Sequence, residues 1–432
     1  MTTAGHSLLS VETAIAQIAR GCAPLATESL PLVTNNKSES SLVGRVASAD
    51  VFARLTHPPQ DVSAMDGYAV KAKDTTSASP STPSRLRLIG ESAAGKPFSQ
   101  SLTHGTCVRI STGGVMPKGA DAIALLEDTE TNANADANVN IIAIKTPASH
   151  RRFIRKRGQD FTEGDVVLTR GETITPRHMG LMAAAGITDI NVHHRPRVTI
   201  LTTGSELVSP GETPDTSKGQ IISSNGVMLA DMVMALGGVA TSYGLVADDR
   251  HALQASIDEA SRQADLLVIT GGASVGKHDY VAEWMHQHAT IAFWRIAMRP
   301  GKPMLFGHIT GEKGSLPILG LPGNPVSAGV CTLIFGGAAI KAMLGVPPVT
   351  TPEYARLAKA IPHANDERQE YMRGRFASPA QDKHALWVAP LPSQDSGRLK
   401  DFAEAEALLI RPPYAPPAQE GDWVEIIRLD KV

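Results

Sequence analysis

The chain has 432 residues, with 41 Lys and Arg against 43 Asp and Glu and a formal charge of −2, so no overall field draws it to nucleic acid or to an anionic membrane surface. Only 4% of the residues are aromatic, which leaves few platforms for stacking single-stranded nucleic acid. Any anion this protein binds must be held by a local site, and the length allows about three compact units at roughly 150 residues each.

Taken in chain order, residues 1–20 lack a basic start, an unbroken apolar run and a small-residue cleavage site, so no signal peptide is expected. Ser10 to Ile18 predicts a short helix: Ser10 can cap it, Glu12 charges the first turn, and Val11, Ala14, Ile15 and Ile18 form one apolar face. Residues 41–55 read as extended or mixed structure, and HPPQDVSAMDGYAV as turns in front of a strand. The tracts at 75–84 and 131–140 are poor in apolar residues and read as solvent loops. RLRLIG, TCVRIST, AIALLE and NIIAIK are strand candidates of a small β-rich unit, and RKRGQDFTEGDVVLTRGETI reads as a loop followed by a hairpin. Pro176 to Ala185, with Pro at the start and Gly186 at the end, predicts a helix.

From Arg197 the texture becomes an α/β alternation. VTILTT, DLLVIT and LPILGL are apolar runs of the kind that form buried parallel strands, and helices are expected over 224–236, 251–264 and 326–344. The uncharged stretch from Gly314 to Ile340 invites a membrane reading, but Pro317, Pro322 and Pro325 interrupt it. The run left before Lys341 is shorter than the roughly 20 residues a spanning helix needs, so a buried helix is expected. Beyond the linker GVPPVTTPEY, the segments YARLAKAI, YMRGRF, ALWVAPL, ALLIRPP and DWVEIIRL read as strands of a small barrel or sandwich. Cys22, Cys107 and Cys331 lie far apart with no CxxC spacing. They indicate neither a disulfide framework nor a thiolate zinc site, and they fit a reducing compartment.

The chemistry-bearing residues cluster where strands of the α/β segment end. LTTGSELVSPG, ITGGASVGKHDY and LGLPGNPVSAG offer Gly turns, hydroxyls and a helix start, which can hold a phosphate or oxyanion through backbone N–H groups. None has the spacing of a P-loop or of GxGxxG, which removes support for ordinary ATPase and dinucleotide readings. RIAMRPGKPMLFG places Arg295, Arg299 and Lys302 around a Pro-Gly turn. A solvated charge run and an oxyanion site both fit that spacing, and the apolar flanks point to a turn projecting from a buried strand. Asp66, Asp160, Glu206, Asp248, Asp249 and Asp279 recur in Gly-rich or turn settings. Carboxylates beside a phosphate commonly hold Mg²⁺, an Asp beside Gly is as readily a turn residue, and spacing alone does not group them. The fourteen histidines form no HExxH pair, and GxSxG is absent.

In this order SAMDGYAV, VRISTGGVMPKGADAI, RGQDFTEGDVVL, TTGSEL, GLVADD, TGGASVGKHDY, AMRPGKP and LPGNPVSA resemble the MoeA family. These are the molybdopterin molybdenumtransferases, a family that includes the C-terminal half of gephyrin. The match covers nearly the whole chain; only the C-terminal part is loosely similar, through YMRGRF and the DSG at 395–397. The resemblance implies an α/β plus β multidomain fold with four units. These are a discontinuous helical and hinge domain (7–57 and 159–194, with part of 34–52 packing on the α/β domain) and a β-rich inserted domain (58–158). A doubly wound molybdopterin-binding α/β domain (195–347) and a C-terminal barrel-like β domain (348–432) complete the set.

The same resemblance implies a cytoplasmic homodimer that inserts molybdate into adenylylated molybdopterin and releases AMP, with Mg²⁺ as cofactor. Upstream adenylyltransferase and downstream molybdoenzymes or their chaperones are its implied partners, with no nucleic acid and no membrane. Residue by residue it implies catalytic roles for Asp66, Thr112, Asp160, Glu206, Asp279 and Arg295, and Mg²⁺ ligation by Asp248, Asp279 and Glu206. Molybdopterin binding falls to Thr203, Gly204, Gly271, Gly272, Pro322, Gly323, Asn324 and Pro325. Molybdate binding falls to Ser274, Arg299, Lys302, Pro303, Ser327, Arg373 and Ser396. The chain departs from the family pattern at Arg295 and Arg299, where Lys is common, and at Ser205, where Asp is common. A catalytically lapsed scaffold of the same fold and the adenylyltransferase step are the alternatives. The acidic set speaks against the first, and AMDGYA with the inserted and C-terminal domains speaks against the second.

Overall fold

In this computed structural model the described residues are 8–33, 42–132, 140–247, 249–271, 280–311, 314–348, 352–378 and 385–429. The helix Val11–Gly21 begins where expected: the Ser10 side chain accepts from the Thr13 N–H, Glu12 lies in the first turn, and Val11, Ala14 and Ile18 are buried. Its apolar face sits in the core of the α/β unit, together with Val198, Leu319, Phe335 and Ile340.

The hinge region is made by strands far apart in the sequence. Thr27–Pro31 pairs antiparallel with Asp189–His193, and the buried Arg45 fastens the pair by donating to the His193 carbonyl at 2.8 Å and to Glu28. Val166–Leu168, expected to close a local hairpin, instead pairs antiparallel with Val51–Phe52. The pairing carries Val167 and Leu168 into a core that joins local residues, Phe161 and Ile174, to the distant Ala53 and Met182. The helix Pro176–Ala184 carries a capping box between Thr175 and His178, with Pro176 in the first turn.

The inserted unit is a six-stranded sheet in the spatial order Ala122–Leu125, Gly67–Val70, Thr106–Ile110, Ser84–Ser92, Ile141–Ile144 and Thr129–Asn132. Its pairings are antiparallel except for the parallel neighbours Ser84–Ser92 and Thr106–Ile110. The tract at 131–140, expected as a solvent loop, contributes its first two residues to the strand Thr129–Asn132. Residues 133–139 lie outside the described residues.

The α/β unit holds a second six-stranded sheet. Val239–Val246, Arg197–Thr203, Leu266–Thr270 and Gly314–Leu321 run parallel, and Leu305–Gly311 followed by Ala289–Trp294 adds an antiparallel edge. Leu266–Thr270 is buried at every position because helices cover both faces, giving one apolar core on each side. The continuous helical segment Pro325–Met343, with mean hydropathy 1.6, is 89% buried in this unit. Residues of neighbouring helices and of the sheet, among them Ile18, Leu229, Val233 and Leu319, share the core with it.

Five C-terminal strands close a barrel: Gln369–Ala377, Trp387–Pro390, Glu353–Leu357, Trp423–Arg428, Ala407–Arg411 and back to Gln369–Ala377. A sixth strand, Met298–Arg299, comes from the α/β unit and pairs parallel with Gln369–Ala377. The barrel is therefore stitched to the α/β unit through main-chain bonds.

Candidate functional site

The carboxyl ends of the parallel strands in an open α/β sheet are the usual place for ligands, and here they converge. Arg197–Thr203 ends at Thr203, which is buried with an Oγ1 that has no hydrogen-bond partner among the described residues. Next to it Gly271 ends Leu266–Thr270 at φ +92°, and a Cβ there would come within 2.1 Å of the Thr203 carbonyl oxygen. Only glycine allows both the backbone angle and the approach. Glu206 lies on the exposed side of this turn, its carboxylate over Gly204.

The third strand end leads through Pro322 and Gly323 to Asn324 and the helix that starts at Pro325. A buried polar relay holds this loop. Asn225 donates through Nδ2 to Thr270 Oγ1 at 2.9 Å and to the Gly323 carbonyl at 2.8 Å, and Thr270 Oγ1 donates to the Pro322 carbonyl at 3.0 Å. Sequence patterning does not single out Asn225. An Asn at a helix start reads as a cap, whereas here its side chain turns into the sheet. From the barrel, Ser396 reaches the same loop: its Oγ bonds Asn324 Nδ2 at 3.0 Å and its carbonyl accepts from the Val326 N–H at 3.3 Å. The buried Ser327 lies one residue further on.

A cavity of about 410 Å³ opens beside the seam between the α/β unit and the barrel, lined by Arg299, Arg373, Glu370, Asp366, His363 and Gln394 among others. Arg373 exposes none of its surface. Its Nη2 donates to the carbonyls of Ser393 and Asp395, while Nε and Nη1 have no partner among the described residues. Burial pushes its pKa down, against the pull of Asp401, Asp395 and Glu370. A buried guanidinium with bare N–H groups is a ready donor site for an oxyanion. Arg299 pairs with Glu370 at 2.9 Å and lies 3.7 Å from Asp366. Lys302 is exposed, Pro303 is half-buried, and the Lys302 carbonyl accepts from the Ile296 and Met304 N–H groups to close the turn. Arg295 is exposed at φ +74°, its guanidinium 5.3 Å from the Trp294 ring centroid. Glu370 is a further residue that no motif marks, because its neighbours are set by strand register.

Asp66 and Thr112 meet in the inserted unit although 46 residues separate them: Asp66 Oδ1 accepts from the Thr112 N–H at 2.6 Å and from its hydroxyl at 3.0 Å. These two bonds hold the Asp66 carboxyl below its ordinary range, with a smaller pull from Arg109. Gly67 is required behind it, since a Cβ would fall 2.1 Å from the Ala124 carbonyl oxygen. Asp160 is exposed in the hinge, its N–H bonded to the His57 carbonyl. Among the described residues, no hydrogen bond or ion pair joins Asp66, Thr112 or Asp160 to the α/β loops. Asp248, Gly272, Ser274 and Asp279 lie outside the described residues.

An open α/β sheet with Gly turns at its strand ends, a separate β unit earlier in the chain and a barrel that adds Ser396 to the 322–325 loop define a multidomain protein of the α/β plus β class. Family models agree along the chain: the MoeA N-terminal region (domain I and II) over residues 9–186, a probable molybdopterin binding domain over 199–342, and the MoeA C-terminal region (domain IV) over 354–429. The chain belongs to the MoeA family. It is 34% identical over 399 residues to molybdopterin molybdenumtransferase 2 of Mycobacterium tuberculosis, covering 89% of this chain and 93% of that one. It is 31% identical over 421 residues to molybdopterin molybdenumtransferase of Synechococcus elongatus, covering 96% and 98%. A crystal structure of the molybdopterin biosynthesis MoeA protein of Pyrococcus horikoshii superposes with a TM-score of 0.76 at 30% identity, covering 98% of this chain and 99% of that one.

Proposed function

We propose that this protein acts in molybdenum cofactor biosynthesis as a transferase, taking adenylylated molybdopterin and molybdate to molybdenum cofactor and AMP. The observation that carries the reading is the junction at the seam. Loop residues suited to a phosphate-bearing pterin (Thr203, Gly271, Pro322 to Pro325) meet Ser327 and Ser396, and the cavity walled by Arg299 and Arg373 lies along the same seam. A tetrahedral oxyanion suits planar guanidinium forks and hydroxyls.

In this reading Arg373, Arg299, Lys302 and the hydroxyls of Ser274, Ser327 and Ser396 bind and orient molybdate, with Pro303 shaping the turn. Thr203, Gly204, Gly271, Gly272 and the 322–325 loop hold the pterin. Arg295 offsets charge on the phosphoanhydride while a molybdate oxygen or water attacks it and AMP is released, and the dithiolene sulfurs of the substrate then take the metal, displacing a molybdate oxygen that leaves in AMP or, with the two thiol protons, as water. Glu206, Asp248 and Asp279 are the proposed Mg²⁺ ligands; the described one, Glu206, has its carboxylate over Gly204, which follows Thr203 with its bare hydroxyl, and hard oxygen donors of this kind fit Mg²⁺. Bound there, Mg²⁺ would supply charge neutralisation at the phosphates.

Among the described residues no hydrogen bond or ion pair ties Asp66, Thr112 or Asp160 to these loops within one chain. We place them at the cleft of a second copy in a homodimer. Three free cysteines, all buried, fit work in the cytoplasm, between an adenylyltransferase that supplies the substrate and molybdoenzymes or their chaperones that take the product.

The decisive experiment incubates the purified protein with adenylylated molybdopterin, Mg²⁺ and molybdate, and follows AMP release and reconstitution of a cofactor-free molybdoenzyme. Molybdate-dependent AMP release is expected, and its absence would favour a scaffold that has lost the reaction. Asp279→Ala is expected to abolish turnover with the fold intact; near-wild-type activity would remove Asp279 from the proposed metal set.

A further inference from the structure

The row that stitches the α/β unit to the barrel sets one carboxylate between guanidinium groups. Strand register places Arg299 opposite Glu370 across the parallel pair and Glu370 opposite Arg411 across the antiparallel pair. Glu370 keeps 6% of its surface and Arg411 keeps 3%. Arg411 is satisfied by main chain, donating to the carbonyls of His363, Ala415 and Pro416. Glu370 is not fully satisfied. Its Oε1 is 2.9 Å from Arg299 Nη2, while its Oε2 is buried with no hydrogen-bond partner among the described residues. On the other side of the pairing, Arg299 Nε and Arg373 Nε and Nη1 are also buried and bare.

Two observations make Glu370 a competitor for Arg299 more than a prop beneath it. Arg299 is held without it, by main-chain pairing with Gln369–Ala377, by Asn365 Oδ1 at 3.3 Å from Nη2, and by Asp366 at 3.7 Å. And a bare carboxylate oxygen in the wall of the same cavity repels an entering anion where solvent screens charge poorly.

We propose that Glu370 sets the affinity of the oxyanion pocket by competing with the bound oxyanion for the Arg299 guanidinium, so that a tetrahedral dianion is held loosely enough to be passed on. This rests on the reading of Arg299 and Arg373 as oxyanion ligands. Net affinity then reflects a difference: among the described residues no carboxylate forms an ion pair with Arg373 or Lys302, although Asp401, Asp395 and Glu370 act on Arg373 at longer range, and Arg299 contributes only as far as Glu370 releases it. A pocket without that competitor would hold molybdate longer and would also fill with sulfate or phosphate.

The test is calorimetric titration of the full chain with molybdate, and with sulfate as competitor, alongside the AMP-release assay. Glu370→Gln keeps the side-chain size and an acceptor for Arg299 while removing the charge. We expect its Kd for molybdate to fall at least about ten-fold, sulfate to compete more strongly, and both KM for molybdate and kcat to decrease. In an Arg299→Gln background the same exchange is expected to change Kd less than about three-fold, because the two residues act as one pair. Unchanged or weaker molybdate binding by folded Glu370→Gln overturns the proposal, as does an equal shift in both backgrounds. A wild-type chain that does not bind molybdate, or an Arg373→Gln chain that binds it undiminished, overturns instead the pocket reading beneath it. Should Glu370→Gln not fold, Asp366→Asn is expected to tighten molybdate about two-fold by relieving the weaker contact with Arg299, and no tightening overturns the proposal equally.

Discussion

At the scale of single residues, the behaviour of Asp66 is set by one neighbour. Thr112 gives it a main-chain and a hydroxyl hydrogen bond, and both favour the charged carboxylate. Thr112→Val keeps the first bond and deletes the second, so the Asp66 carboxyl is expected to titrate at higher pH than in the wild type. Carbon-detected NMR of the side chain reads this directly, and an unmoved titration would show that the hydroxyl adds nothing. The string AMDGY marks Asp66 as notable, but its partner lies 46 positions away, and only the pairing of Gly67–Val70 with Thr106–Ile110 brings the two together. Gly271 carries a second prediction. Gly271→Ala places a Cβ against the Thr203 carbonyl at a backbone angle that costs a side chain about 1–3 kcal/mol, so a lower melting temperature and lost AMP release are expected together. Full activity would mean that the loop relaxes without consequence.

Elements explain why some of the site was legible and some was not. The three strand-end loops could be read because apolar runs ending in Gly-rich turns are local patterns, and so could the five barrel strands. Long-range partnering could not. Val166–Leu168 looked like half of a hairpin, and its true partner Val51–Phe52 is too short to announce itself. Asn225 was hidden for the opposite reason: its local pattern fits a helix cap, yet its amide spans from Thr270 to Gly323 and ties two strand ends together. Asn225→Ala strips the Thr270 hydroxyl and the Gly323 carbonyl of a buried donor, which is expected to cost about 1–3 kcal/mol in denaturant melts. If the relay positions the 322–325 loop, KM for adenylylated molybdopterin rises as well; a stability loss with unchanged KM would confine Asn225 to a structural role.

At the scale of the whole molecule, the seam between α/β unit and barrel carries a pH signature. The Arg368 guanidinium, with help from its own N–H and from Arg299, holds the Asp366 carboxyl down to about 2. An unfolded Asp titrates near about 3.9, so the folded form binds its proton less readily than the unfolded one. The contribution is therefore complete above that value and is lost as pH falls through about 2. Urea midpoints measured from pH 5 downward are expected to decline for the wild type, with a shallower decline for Asp366→Asn. Identical slopes would show that the pair is screened by solvent. Charge totals near neutrality gave no hint of this cluster, since the seam's arginines and carboxylates nearly cancel in the sum.

One further consequence concerns the order in which the chain is made. The helix Val11–Gly21 is made well ahead of the core it joins: Val11, Ala14 and Ile18 share that core with Phe335 and Ile340, more than 300 residues later. At about 5–20 residues per second its apolar face waits roughly 15 to 65 seconds for that cover. The long helix Pro325–Met343 emerges late, and among the buried members of this core only Leu344, Tyr371 and Leu408 follow it. The nascent protein thus exposes a greasy strip until the 325–343 segment has been synthesised. Ile18→Asp should leave the inserted β unit and the barrel to fold while lowering the soluble yield of the whole chain, because the late helix would then find its docking face interrupted by a charge.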